Sequence, residues 1–227
     1  MNNVEKYFAS KRSYAESQIG DDSPVIAMSY RAINKDRKSE TRVYLATKIK
    51  YEVDKIQPLG LSVDEDPIFL IAGSGNYAEF DGLATASEEY VSRFLSTMGG
   101  RETLSAGGLI EELSQGMRDK FIDGKKAYDV EILITSFYDG PLEIFWIKYD
   151  GTPHPCKNFG FVGGYGKNSN SGESRRAEIF NKLTAVYKTG RLPGIKTVKK
   201  VVREMLGPDT DREYLIQTSF APLPKKD

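Results

Sequence analysis

Gly73-Ser74-Gly75 closes the most apolar run of the chain, Ile68-Phe69-Leu70-Ile71-Ala72, and a helical pattern follows it. With Ala78 the two glycines fit G-x-G-x-x-G/A, which sets a pyrophosphate against backbone N–H groups at a helix N-terminus. That chemistry needs a parallel strand–helix–strand unit with an acidic residue about 20 residues on. Here the helix leads through Gly99-Gly100 into a second helix, so the context fails and a dinucleotide-dependent oxidoreductase stands last among the readings. Gly163-Gly164-Tyr165-Gly166-Lys167 lacks the G-K-[ST] ending of a phosphate loop. His154 and Cys156 are the only residues of their kinds, too few for a Cys/His zinc site within one chain. Between two prolines, His154 reads as an exposed turn residue. Taken singly, Ser23 after Asp21-Asp22 is turn chemistry, Lys55 a solvated strand-end lysine and Gly73 a packing glycine.

The elements that must position these groups follow from hydrophobic period. Residues 3–17 carry Val4, Tyr7, Phe8 and Ala15 among charges, a helix without a strong apolar stripe, with Tyr7, Phe8 and Tyr14 as a docking face. Ser23 to Ala32 reads as a strand, Asn34 to Thr41 as a charged loop, Arg42 to Lys50 as a second strand and Tyr51 to Leu61 as extended chain. The run at 68–72 is a strand buried on both faces that ends in a glycine turn. Residues 82–98 place Ala86, Tyr90, Phe94, Leu95 and Met98 on one helix face. Residues 103–122 do the same with Leu109, Ile110, Leu113, Met117 and Phe121.

At Asp129 the period changes. Asp129 to Phe137 and Pro141 to Tyr149 form a hairpin about Asp139-Gly140, Asp150-Gly151 makes a second turn, and Phe159 to Gly166 is a further strand. Two helices follow, lined by Ala177, Phe180, Leu183 and Tyr187, then by Val198, Val201, Val202, Met205 and Leu206. Glu213 to Phe220 is a last strand. This order predicts an α+β fold: a four-layer αββα sandwich of two antiparallel sheets, with helices near 83–98 and 103–122 on one face and near 175–188 and 195–206 on the other.

At 227 residues the chain is long enough for one sizeable core. The 32 acidic and 32 basic residues balance, so no global field argues for nucleic acid or an anionic membrane. A single cysteine excludes an internal disulfide framework and fits a reducing compartment. No apolar run approaches the roughly 18 residues of a spanning helix. These features predict a soluble, cytoplasmic protein without a cofactor.

In this order, with these residues, the chain resembles the proteasome subunits of the N-terminal nucleophile (Ntn) hydrolase superfamily. The resemblance runs from about Ser23 to Phe220. It is carried by Asp54-Lys55-Ile56 followed by Ile71-Ala72-Gly73, by the hairpin VEILITSFYDGPLEIFWIKYDGT and by the glycine-rich FGFVGGYG. It implies a helical extension or propeptide at 1–22, a single domain at 23–227, a homo-oligomer or ring, and a peptide substrate if the site is active.

Active members of that family cut off their own propeptide and attack with the freed first residue, whose α-amine serves as base. The resemblance sets Ser23 in the nucleophile's place, Lys55 in that of the lysine that lowers its pKa, and Gly73 in that of the glycine whose N–H stabilises the oxyanion. The acidic partner of the lysine falls at Lys48, and two ammonium groups in one small site disfavour each other's charge. Tyr165 replaces a serine near the late glycines, and Asp209 or Asp211 matches that serine's acidic partner. Non-catalytic ring subunits keep a helix before the first strand and often carry a basic residue at the acidic position. Residues 3–17 and Lys48 follow that pattern, although the usual N-terminal sequence of those subunits is missing. Two readings result: a self-assembling subunit with degenerate or absent peptidase activity, which is favoured, and an autoprocessing peptidase or amidase using Ser23. Leu104, Tyr90 and Tyr187 are the apolar residues expected on helix outer faces for assembly.

Overall fold

The computed structural model describes residues 3–19, 24–33, 37, 39–47, 55–61, 67–97, 104–124, 126–136, 142–164, 169–206 and 212–215. They form an α+β fold of five helices and two antiparallel sheets. Helix α1 (Asn3–Ile19) precedes strands β1 (Val25–Ile33), β2 (Ser39–Thr47), β3 (Ile56–Leu61) and β4 (Pro67–Gly75). Helices α2 (Tyr77–Thr97) and α3 (Ala106–Asp123) lead to β5 (Val130–Ser136), β6 (Glu143–Ile147), β7 (Pro153–Cys156) and β8 (Phe159–Val162). Helices α4 (Ser169–Tyr187) and α5 (Ile195–Leu206) and strand β9 (Arg212–Leu215) complete the order. One sheet runs β8-β1-β2-β9, the other β3-β4-β5-β6-β7.

Alternation along the strands divides the core. Val25, Ala27, Val43 and Leu45 join Leu70, Ala72, Leu133 and Ile144 in a cluster drawn from both sheets. Their neighbours Ile26, Met28, Tyr44 and Ala46 pack with Ile179, Leu183, Val198 and Val202 of α4 and α5. On the five-stranded sheet, Phe69, Ile71, Ile132 and Ile134 pack instead with Leu83, Val91, Leu109 and Met117 of α2 and α3. Strands with both faces apolar carry continuous hydrophobic runs, which explains the lack of polar alternation at 68–72.

Local chemistry sets the helix ends. The Ser105 hydroxyl accepts from the Gly108 N–H and starts α3. Asn76 does the same for α2, accepting from the N–H groups of Ala78 and Glu79, so that helix begins earlier than the apolar spacing indicates. All five residues expected along α3 are buried.

The structure departs from the sequence reading in several places: Ala86 of α2 and Ala177 of α4, expected on apolar helix faces, are exposed. The Gly73–Gly75 stretch is not a turn: β4 continues through it, paired with Ile132, Glu131 and Val130 of β5. Phe180 is exposed and Ile179 takes the core position of α4. Leu104 and Tyr187 are buried, Tyr90 is half-buried, and among the described residues the exposed large apolar ones are Val4, Tyr7, Tyr14, Ile33, Tyr77, Ile122 and Phe180. His154 lies on the edge strand β7, where prolines are tolerated because the outer side needs no ladder bonds. Its ring stacks on Trp146, and its Nε2 is buried.

Helix α1 packs on the body. Ala15 and Ile19 are fully buried with Ala127 and Tyr149, and Phe8 stacks on Phe121. Lys11, 5% exposed, sends its ammonium to the carbonyls of Phe121 (2.7 Å) and Gly124 (2.5 Å), the C-terminal end of α3. A cation there meets orphan carbonyls and the negative pole of the helix.

Candidate functional site

Of the residues singled out by sequence, Lys55 and Gly73 are described, and both lie at strand ends. In the four-stranded sheet, Val25 at the start of β1 pairs with Thr47 at the end of β2 and with Val162 at the end of β8. The Thr47 hydroxyl donates to the carbonyl of Pro24 at 3.2 Å, fixing the entry into β1. In the five-stranded sheet, Ile56 at the start of β3 pairs with Ala72, and the Gly73 N–H donates to the Lys55 carbonyl at 3.0 Å.

Gly163 joins the two sets. Its φ of +76° is a conformation that favours glycine, and a Cβ there would collide with the Ser74 hydroxyl and lie 3.4 Å from Pro24 Cα. The end of β4 and the start of β1 therefore meet across one glycine.

Lys55 and Gly73 are brought together, but through the main chain. Lys55 is only 8% exposed, unlike a solvated strand-end lysine. Gly73 has a packing reason to be glycine, since a Cβ would run into the Phe80 ring. Ser23, Lys48, Asp209, Tyr165 and Asp211 lie outside the described residues.

A charged pair absent from the sequence reading occupies the same strand ends. Glu131, fully buried on β5 opposite Ser74, accepts at 3.1 Å from both the Gly163 N–H and Arg176 Nη1. Arg176 Nη1 also donates to the Gly163 carbonyl at 2.8 Å. Its guanidinium lies 5.1 Å from the Trp146 ring centre and 5.0 Å from that of Phe161. An arginine of α4 thus reaches a carboxylate of the other sheet and clasps the turn after β8. Such a pair offsets its large desolvation cost only with good geometry and further hydrogen bonds, both present here. The one available signal was a carboxylate inside the apolar run Val130–Thr135. Its partner, 45 positions away, had none.

A second network secures the start of β5. Glu79 accepts from Lys120 Nζ at 2.8 Å and from the Asp129 N–H. Burial raises the Asp129 carboxyl above its usual range, against the pull of Lys126 at 3.3 Å.

No family model and no curated protein matches this chain. Chemistry is therefore read from the groups themselves. The strand ends hold a carboxylate, a buried and a partly buried cation and two hydroxyls, and Ser74, Thr47, Lys55, Glu131 and Arg176 all have polar or electrostatic partners. Among the described residues no group of carboxylates, histidine and cysteine could hold a metal ion, and no helix is long and apolar enough to cross a membrane. Cys156 is a poor nucleophile, because burial pushes its thiol up to about 11. A cleft of about 860 Å³ between α1 and the end of α3 is lined by Phe8, Arg12, Glu16 and Phe121; neither Lys55 nor Gly73 is among its described lining residues.

Proposed function

We propose that this chain is a self-assembling, proteasome-type subunit on a four-layer Ntn-hydrolase fold, with peptidase chemistry degenerate or absent. The layering is supported by the alternation of β1 and β2 between the shared cluster and the α4–α5 cluster, and of β4 and β5 between the shared cluster and the α2–α3 cluster. The observation that carries the loss of chemistry is the Gly73 N–H. It is already donated to the Lys55 carbonyl, so the donor that the resemblance assigns to the oxyanion is committed to the sheet. Docked α1 adds to this, because a helix whose buried lysine caps α3 belongs to the body.

The alternative is an autoprocessing peptidase or amidase with Ser23 as nucleophile. Burial of Lys55 beside Gly73 favours it, because a lysine drawn out of water there is suited to tuning a neighbour. The two readings part at the Asp22–Ser23 bond. The expected result is an uncut bond in the purified chain, read by intact-mass spectrometry under denaturing conditions. A species starting at Ser23, absent in Ser23→Ala, would establish the catalytic reading instead.

A further inference from the structure

The balanced composition conceals an uneven distribution of charge. Helices α2 and α3 together carry eight acidic and three basic residues, a net charge of −5. From Ser169 to Leu206, through α4 and α5, there are nine basic and three acidic residues. Arg176 is held internally by Glu131, which leaves eight against three, a net charge of +5. The surplus on each side faces solvent: Asp81, Glu88, Glu89, Glu111, Glu112, Asp119 and Asp123 are exposed on one pair, and Arg175, Lys188, Arg191, Lys196, Lys200 and Arg203 on the other.

Each helix pair covers the sheet face turned away from the other sheet, so the two charged surfaces look in opposite directions. This step rests on the layered reading above. Shape agrees with charge. Phe180 projects from the basic side, 52% exposed. On the acidic side Gly82 and Gly116 sit exposed inside helices, and a Cβ at either would meet no described heavy atom within 4 Å. Glycine in a helix interior weakens the helix, and nothing inside the fold calls for these two.

We propose that copies of this chain stack head to tail, the acidic α2–α3 face of one against the basic α4–α5 face of the next. Two different surfaces meet in such a contact, and two faces pointing in opposite directions extend it into an open stack in place of a closed pair. Opposite fields across the contact also favour this pairing over like face on like face.

Two triple variants test it. Glu89, Glu111 and Glu112→Lys would leave both faces basic; Lys188, Arg191 and Lys196→Glu would turn the basic face slightly acidic. None of these six side chains makes a hydrogen bond or ion pair among the described residues, so the fold should tolerate both sets, as circular dichroism would verify. By sedimentation velocity, the wild type should associate at about 20 mM salt and dissociate at least tenfold more readily at about 0.5 M, where the screening length is a few ångströms. Each variant alone should be monomeric at low salt, and mixing the two should restore association. Variants that assemble like the wild type would overturn the head-to-tail contact while leaving self-assembly standing. A wild type that is monomeric at every salt concentration would remove both, and one that stays monomeric but binds heparin through the basic face would assign that face to a polyanion.

Discussion

Arg176 and Lys11 are both cations withdrawn from water, and the fold holds them by different means. Arg176 meets a full opposite charge, the fully buried Glu131, and shares it with the Gly163 turn. Lys11 meets only dipoles: two carbonyls at the end of α3 and the ring faces of Tyr7, Phe8 and Phe121, with the Tyr7 centroid at 4.6 Å. The difference lies in what is left when the cation is removed. Without Arg176 a fully buried carboxylate keeps the Gly163 N–H but loses a charged partner; without Lys11 only carbonyls remain, and a terminal turn can tilt them toward water. The strand-end cluster is thus the more costly of the two to break.

Arg176→Met should therefore have the largest effect, about 3–5 kcal/mol lost, because the fully buried Glu131 loses a charged partner in the interior. In a domain of this size that lowers Tm by roughly ten degrees in a thermal melt. Adding Glu131→Gln to Arg176→Met should recover part of the loss. A single variant within about 1 kcal/mol of wild type would mean that the pair is well hydrated. Lys11→Met should cost less, about 1–2 kcal/mol, since it removes charge–dipole contacts without leaving a counter-charge. If it matched Arg176→Met in a denaturant titration, the contrast between the two sites would collapse.

The smallest effect concerns Asp129, two residues before Glu131 but answered by Lys126 near the surface. Burial raises the Asp129 carboxyl, so the folded chain takes up its proton at a higher pH than the unfolded chain does. The folded state then binds the extra proton just above the ordinary carboxylate range. Stability from this group rises as pH falls through that window, and at neutral pH its charge is a cost. Asp129→Asn should melt no lower than wild type at pH 7, with any advantage shrinking toward pH 4. A clear drop in Tm at neutral pH would show that the Lys126 pair outweighs burial.

How far sequence could foresee this depends on where each partner lies. The buried face of helix α3 was legible, because Leu109, Ile110, Leu113, Met117 and Phe121 repeat at helical spacing; its start was not, since Ser105 caps it and the helix begins at Ala106 instead of 103. Helix α4 was legible at Leu183 and Tyr187, which are buried, but not in its first half, where Ala177 and Phe180 are exposed and Ile179 turns inward; Ile179 and Phe180 are adjacent apolar residues, and only the sheet beneath decides between them. Gly73 and Gly75 looked like a turn because their strand partner, β5, comes more than fifty residues later. A separation of 45 residues likewise hid the Glu131–Arg176 pair. The resemblance sets Lys55 and Gly73 in one site as side-chain and oxyanion chemistry, whereas the structure shows a main-chain hydrogen bond between them. Net charge hid the opposed helical faces, since a sum over the chain carries no position.

The docking of α1 also bears on what a broken bond would look like. Its hold on the body consists of Ala15 and Ile19 in the core, Phe8 against Phe121, Lys11 on the α3 carbonyls and the Tyr149 hydroxyl donated to Glu16 at 2.7 Å. None of these depends on chain continuity between Ile19 and Pro24. A nick there would leave two fragments complementing each other, moving together through a gel-filtration column and melting as one species. The severed helix would come free only in denaturant, so a native size measurement would record the cut and uncut proteins as the same molecule.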